Sequence, residues 1–235
     1  MSLKLNKKHQ VAKDLLLKTL PNAETADIKD GIELIKKIKY AKFDETLEFN
    51  AVLGIDAKKS DQNVRGVVSM PAGTGKTIKV AVLAEAALLE DAKNSGADFY
   101  NVEEILSNIE KNIINFDILI ASPGMIAQIA KYAKILGPKG LMPNPKLGTV
   151  TRDIRNAVKV AKAGQVEYRS DKGGNILAGI GKLSFSTDNL IANFNAILDA
   201  VIKARPATTK GTYIKKLYIS STNGHSIRLN IPNLI

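Results

Sequence analysis

The stretch Thr46-Leu-Glu-Phe-Asn-Ala-Val-Leu-Gly54 alternates apolar and polar side chains with period two, which predicts a half-buried strand. Upstream the period is helical. Residues 8–20 predict a first helix with Val11, Leu15 and Leu16 on one face, lysines opposite, and Pro21 and Asn22 as its stop. A second helix carries Ile32, Leu34, Ile35 and Ile38, with Asp30 as its expected cap. Residues 56–65 are polar and read as a connector.

After Gly66 the pattern changes. Residues 78–83 and 116–121 are nearly continuous apolar runs, and 98–100 is a shorter one. Helical stretches at 85–95, 102–112 and 123–136 alternate with them, and Pro123 suits the first turn of the last. Strands of this kind, alternating with helices, predict parallel pairing covered on both faces. Residues 137–148 form a loop with three prolines, and Thr151 is the expected cap of a helix ending near Ala163. Beyond Gly164 the period-two alternation returns. Residues 165–169 and 175–183 predict a hairpin around Asp171-Lys-Gly-Gly174. A helix capped by Thr187 or Asp188 follows, then strands at 213–221 and 226–231 joined by Thr222-Asn-Gly-His225.

The expected fold class is therefore α/β with two domains. A split α+β outer domain, with an antiparallel-rich sheet and helices, takes residues 1–66 and 159–235. An inserted three-layer α/β domain with a Rossmann-like parallel sheet takes 67–158. Charge follows the same cut. The chain has 235 residues and a net charge of +11; residues 67–158 hold ten basic and nine acidic side chains, which leaves +10 on the remainder. A polyanionic partner is expected there.

Composition removes several alternatives. Cysteine is absent and the two histidines, His9 and His225, are far apart, so neither a disulfide framework nor a metal cluster is expected. Residues 1–10 lack the apolar core of a secretory signal, and no run of about 18 apolar residues could cross a membrane. A soluble cytoplasmic protein is expected, with no cofactor. The adjacent pairs Asp44-Glu45 and Glu103-Glu104 read as solvated surface charge rather than as catalytic carboxylates.

Gly73-Thr-Gly-Lys-Thr77 invites comparison with a phosphate-binding loop, which would make the chain a nucleotide-dependent enzyme. That loop begins with glycine five positions before its second glycine, and here Met70 stands there. The following residues read as a strand rather than a helix, so a turn is the better reading. Gly179-Ile-Gly181 lies inside a strand pattern and predicts a bulge or a close approach. In the 137–148 loop, Lys139 and Lys146 either flank a rigid connection or add weak phosphate contacts.

At the predicted strand ends of the outer domain, basic, aromatic and hydroxyl residues gather: Lys42, Phe43 and Thr46; Arg169 to Lys172; Lys182; and Thr222, Asn223 and Gly224. Hydroxyl and amide groups suit ribose 2′-OH groups, and Arg and Lys suit phosphates. Aromatic residues are only 5% of the chain, so base stacking along a single strand is not the main device. Structured RNA, read through backbone and shape, fits better.

Five segments carry a resemblance to a known family. They are Lys42-Phe-Asp-Glu-Thr-Leu-Glu48, Lys59-Ser-Asp-Gln-Asn-Val-Arg-Gly66, Gly73-Thr-Gly-Lys76, Gly137-Pro-Lys-Gly-Leu-Met-Pro-Asn-Pro-Lys146 and Lys210-Gly-Thr-Tyr-Ile-Lys215. Over essentially the whole chain the sequence resembles the bacterial family of the first protein of the large ribosomal subunit (L-one). The resemblance implies the split two-domain fold and a non-enzymatic role. It implies binding to the mobile stalk of 23S ribosomal RNA near the tRNA exit site, contact with exit-site tRNA, and repression of its own-operon messenger RNA. Phe43, Thr46 and Glu48 match the family's first contact strand, and Arg169, Asp171 and Lys172 match its hairpin. Thr222 and Gly224 match a late Ser/Thr-Thr-Met-Gly motif, whose methionine is Asn223 here.

The failed glycine spacing has a direct test. ATP and GTP hydrolysis should stay at background in the parent and in Lys76→Ala, and RNA affinity should change by no more than a few-fold. Tight nucleotide binding that Lys76→Ala abolishes would overturn this reading.

Overall fold

The computed structural model describes residues 7–19, 25–85 and 88–230. Their contacts form two compact units, one within Met1–Gly75 and Val166–Ile235, the other within Lys76–Gln165. These limits lie later in the chain, at both ends, than the 66 and 158 expected from patterning. Met70 is buried in the outer core, and Val68 and Val166 pack against that core. The stop expected at Pro21 and Asn22 lies outside the described residues.

In the outer unit, α1 (Lys7–Thr19) and α2 (Ile28–Ile38) precede β1 (Thr46–Leu53). A four-stranded sheet then assembles in the order β6-β1-β7-β8, from β6 (Asn175–Lys182), β7 (Ile214–Ser221) and β8 (Ile227–Arg228). β1 pairs antiparallel with β6 on one side and β7 on the other. Its odd positions Leu47, Phe49, Ala51 and Leu53 are buried and its even ones half-buried, as alternation requires. α2 and α8 (Thr187–Lys203) pack on the buried side, where Phe49 meets Phe194 edge to face with ring centroids 5.3 Å apart. Tyr213 is also enclosed there; burial pushes its phenol up to about 12, and the hydroxyl donates to the Val201 carbonyl at 3.1 Å.

Several local expectations change. On α1 the side chain turned inward is Ala12, with Leu16 partly buried, while Val11 and Leu15 are 67% and 41% exposed. α2 begins at Ile28 behind Asp27, so Asp30 sits in its first turn rather than at its cap. α8 is capped by Ser186, whose hydroxyl accepts the Asn189 N–H at 3.2 Å. The predicted hairpin at 171–174 closes through one antiparallel bridge, Ser170 to Ile176, with the Asp171 N–H donating to the Asn175 carbonyl at 2.8 Å; beyond it the two arms join different sheets. β5 (Gln165–Arg169) pairs with β2 (Arg65–Ser69), whereas β6 joins β1. At the parting Ser170 also ties to the chain before β2: its N–H donates to the Val64 carbonyl and its hydroxyl accepts the Val64 N–H. The bulge at Gly179 to Gly181 is present: Leu47 pairs with Gly181 and Glu48 with Gly179, so Ile180 is the extra residue.

The inner unit holds β3 (Val80–Leu83) and β4 (Ile118–Ala121), which pair in parallel. Phe99 adds a single parallel bridge beside β3, and Val150 adds one beside β4. β3 is buried on both faces. Ala81 and Leu83 pack with Ile105 and Ile109 of α4 (Val102–Glu110), and Val80 and Val82 pack with Ile154 and Val158 of α7 (Ile154–Lys162). Ala92 of α3 (Leu89–Asn94) joins the second cluster. The expected helix after Pro123 is broken: a 3-10 turn at Pro123–Met125 leads to α5 (Ile126–Ile129), and another at Ala130–Tyr132 to α6 (Ala133–Leu136). α7 is capped by Asp153, not Thr151; the Thr151 hydroxyl instead accepts the Asp153 N–H.

The glycine-rich segment behaves as a turn. The Gly73 N–H donates to the Met70 carbonyl at 3.0 Å, and both Gly73 and Gly75 have φ +71°. No helix opens after Lys76. The fully buried Asn193 of α8 holds this turn: its amide nitrogen donates to Gly73 O (2.9 Å) and Ile180 O (2.6 Å), and its oxygen accepts the Ala72 N–H (3.0 Å). Asn193→Ala orphans these backbone groups and should cost about 3 kcal/mol of unfolding free energy in a denaturant titration. An unchanged midpoint would refute the assignment.

Candidate nucleic-acid interface

The residues singled out for RNA contact fall into two groups. The first gathers where β1 begins. Thr46 faces Lys182 across the β1–β6 ladder, and Leu47 faces Ser221 across the β1–β7 ladder. The register therefore brings the ends of β6 and β7 beside residues 45–46. Lys42 and Phe43 are exposed in the loop leading into β1. Glu48 lies one step inward on the open face, between Gly179 and Ser220.

Hydrogen bonds fix this group. The Thr46 N–H donates to Thr222 Oγ1 at 3.1 Å, while the Thr222 hydroxyl reaches the Thr46 carbonyl only at 3.4 Å. Thr222 thus accepts well and donates weakly inside the protein, and it is exposed. Its donor capacity remains for a ligand. The Lys182 ammonium donates to Thr46 Oγ1 (3.1 Å) and to the Asp44 carbonyl (3.2 Å), which pins the lysine over the start of β1. Asp44 itself accepts from the Ser184 N–H and hydroxyl.

The second group, Arg169, Asp171 and Lys172, sits at the opposite end of β6, where Asn175 faces Val52. Six residues of strand separate it from Thr46, or about 20 Å. Arg169 and Lys172 are exposed. Asp171 is occupied within its turn: Oδ1 accepts the N–H groups of Gly173 and Asn175, each at 2.8 Å, and Oδ2 accepts from the Asn175 amide. The Asn175 backbone N–H, then its side chain, hold the carboxyl below the usual carboxylate range. A lowered folded-state pKa stabilises the turn above the unfolded value, and the contribution is lost as pH falls through the folded one. Asp171 therefore shapes the turn that presents Lys172.

Patterning missed two contributors. Glu45, expected as solvated charge, is 1% exposed, and its Oε1 accepts the Asn223 N–H at 3.0 Å and the Ser221 hydroxyl at 3.3 Å. The signal was available, since residue 45 is in phase with Leu47, Phe49 and Ala51. Tyr40, whose hydroxyl donates to the Asn223 carbonyl, had no sequence signal. The side chain of Lys146 lies outside the described residues, and Lys139 donates to Asn112 Oδ1 at 2.9 Å. Among the described residues no group of metal-ligating side chains occurs, and no helix is long and apolar enough to cross a membrane.

Residues 35–225 match the model of the Ribosomal protein L1p/L10e family, and the chain belongs to that family. It is thus a structural, non-enzymatic ribosomal protein. It is 53% identical over 208 residues to the large ribosomal subunit protein uL1 of Rickettsia canadensis (strain McKiel), covering 88% of this chain and 87% of that one. The uL1 of Rickettsia peacockii (strain Rustic) is 54% identical over the same length and shares, and that of Rickettsia typhi (strain ATCC VR-144 / Wilmington) is 53% identical over 88% of both chains.

Thr222→Val keeps the shape but removes the acceptor of the Thr46 N–H and the weakly held hydroxyl donor. With folding intact, RNA affinity should fall by about 1 to 3 kcal/mol, roughly 5- to 150-fold, in a filter-binding titration. Wild-type affinity would place the contact elsewhere.

Proposed function

We propose that this chain binds the mobile stalk of 23S ribosomal RNA in the large subunit, near the tRNA exit site of the cytoplasmic ribosome. There it assists release of deacylated tRNA. By holding a stalk-like structure in its own-operon messenger RNA, it also represses translation of that message. The fold on this reading is a split outer domain with an inserted, Rossmann-like three-layer domain.

The observation that carries the proposal is the convergence of Thr46, Thr222, Asn223 and Gly224 at one end of an uncovered sheet face. Family membership and the names of the relatives support it. Each group has a role set by its chemistry. The Thr222 hydroxyl and the Asn223 amide suit ribose hydroxyls; the Glu48 carboxylate accepts from a ribose hydroxyl or a base amino group. Lys42, Arg169 and Lys172 hold phosphates, Lys182 keeps the start of β1 in place, and Phe43, 51% exposed, packs on a sugar or base. One surface serves both RNAs, so ribosomal RNA and the message compete for it.

Contact with about 4 to 6 phosphates should give a log–log dependence of affinity on salt with slope roughly −3 to −5, measured with the whole chain and a stalk fragment. A flat dependence, or failure of an unlabelled message fragment to displace the stalk, would refute the shared site.

A further inference from the structure

Immediately ahead of β1 lies a carboxylate that the core does not require. Glu45 is 1% exposed, and one of its oxygens, Oε2, has no hydrogen-bond partner among the described residues. A buried carboxylate with an acceptor left unfilled is a cost to folding. An apolar side chain of similar volume would fill the same space at less cost.

What the carboxylate does is visible at its other oxygen. Oε1 takes both the Asn223 N–H and the Ser221 hydroxyl, two points of the turn that leaves β7. The backbone of Glu45 is itself fixed, because its carbonyl accepts the Leu183 N–H at 2.9 Å. The turn closes on this arrangement. The Gly224 N–H donates to the Ser221 carbonyl at 3.0 Å, and a Cβ on Gly224 would lie 2.2 Å from the very hydroxyl that bonds Glu45. Position 224 therefore admits only glycine while Ser221 points inward. From the outer side Tyr40 holds the Asn223 carbonyl, and Thr46 holds Thr222.

We propose that Glu45 is a positioning residue for RNA binding: its buried carboxylate sets the 221–224 turn in the binding-ready form, so RNA meets Thr222 and Asn223 already ordered. This rests on the RNA-binding reading above. Without Glu45 the turn orders only on binding, and the ordering cost is taken from affinity. Glu45 does not touch RNA and displaces no counterions.

Glu45→Met keeps the volume and removes both acceptor oxygens; Glu45→Gln keeps one oxygen able to take both donors. In the full chain, the methionine variant should melt within a few degrees of wild type yet bind the stalk fragment about tenfold more weakly, with an unchanged salt slope. Glutamine should restore affinity to within about threefold of wild type. A merely structural role would make affinity follow stability, and a direct phosphate or cation role would change the slope; either result overturns the proposal. Wild-type affinity in Glu45→Met with a loss in Thr222→Val overturns it and leaves the RNA reading intact. Wild-type affinity in both variants overturns the location of the RNA site and the proposal with it. Should Glu45→Met fail to fold, hydrogen exchange in the unaltered protein decides: the Asn223 amide should be protected despite its exposed turn, and fast exchange overturns the proposal.

Discussion

β1 has a hydrogen-bonded partner along each edge, and its side chains alternate between a face closed by α2 and α8 and a face left open. That constraint fixes where everything around it can lie. A slip of one residue would turn Leu47, Phe49, Ala51 and Leu53 to solvent, so the register is strongly specified. Once it is set, Lys182 and Ser221 must stand beside Thr46 and Leu47, and the turn at 222–224 must emerge beside the loop that carries Phe43. The candidate interface is a consequence of the core's register rather than a separate construction.

Charge and hydrogen bonding are divided in this molecule. The surplus of +10 lies outside residues 67–158, yet the convergent end of β1 holds Asp44, Glu45 and Glu48 alongside Lys42 and Lys182. Lys39 stands there too, 4.0 Å from Asp44, so that end mixes both signs of charge. Exposed lysines such as Lys172, Lys210 and Lys216 lie elsewhere on the outer unit. Long-range attraction to a polyanion needs only the summed charge, whereas discrimination needs fixed donors and acceptors. Ordered turns held by Asp171 and Glu45 supply the second requirement.

The glycine-rich segment shows how far a short motif depends on its surroundings. Gly73 and Gly75 adopt the positive φ that their type permits, but the backbone groups around them are satisfied by Asn193, and the chain beyond Lys76 extends toward β3. Without a helix opening at the lysine, no row of N–H groups is aimed at a phosphate.

Local patterning determined much of this protein. Period-two alternation located β1, the apolar runs located β3 and β4, and helical spacing located α2 and α8, because burial of one face leaves its period in the sequence. The chain's own motifs also revealed the family. Tertiary structure decided the rest. Which strands pair cannot be read from alternation: the predicted hairpin at 171–174 closes through a single bridge, and its arms then pair with β2 and β1. Helix caps moved by one to three residues: Asp153 and Ser186 take the N–H groups expected to go to their neighbours, while Asp27 precedes α2 without a side-chain cap bond. Glu45 read as solvated charge because a carboxylate's preference is for water; only donors arriving from Ser221 and Asn223, 176 and 178 positions away, let it be buried.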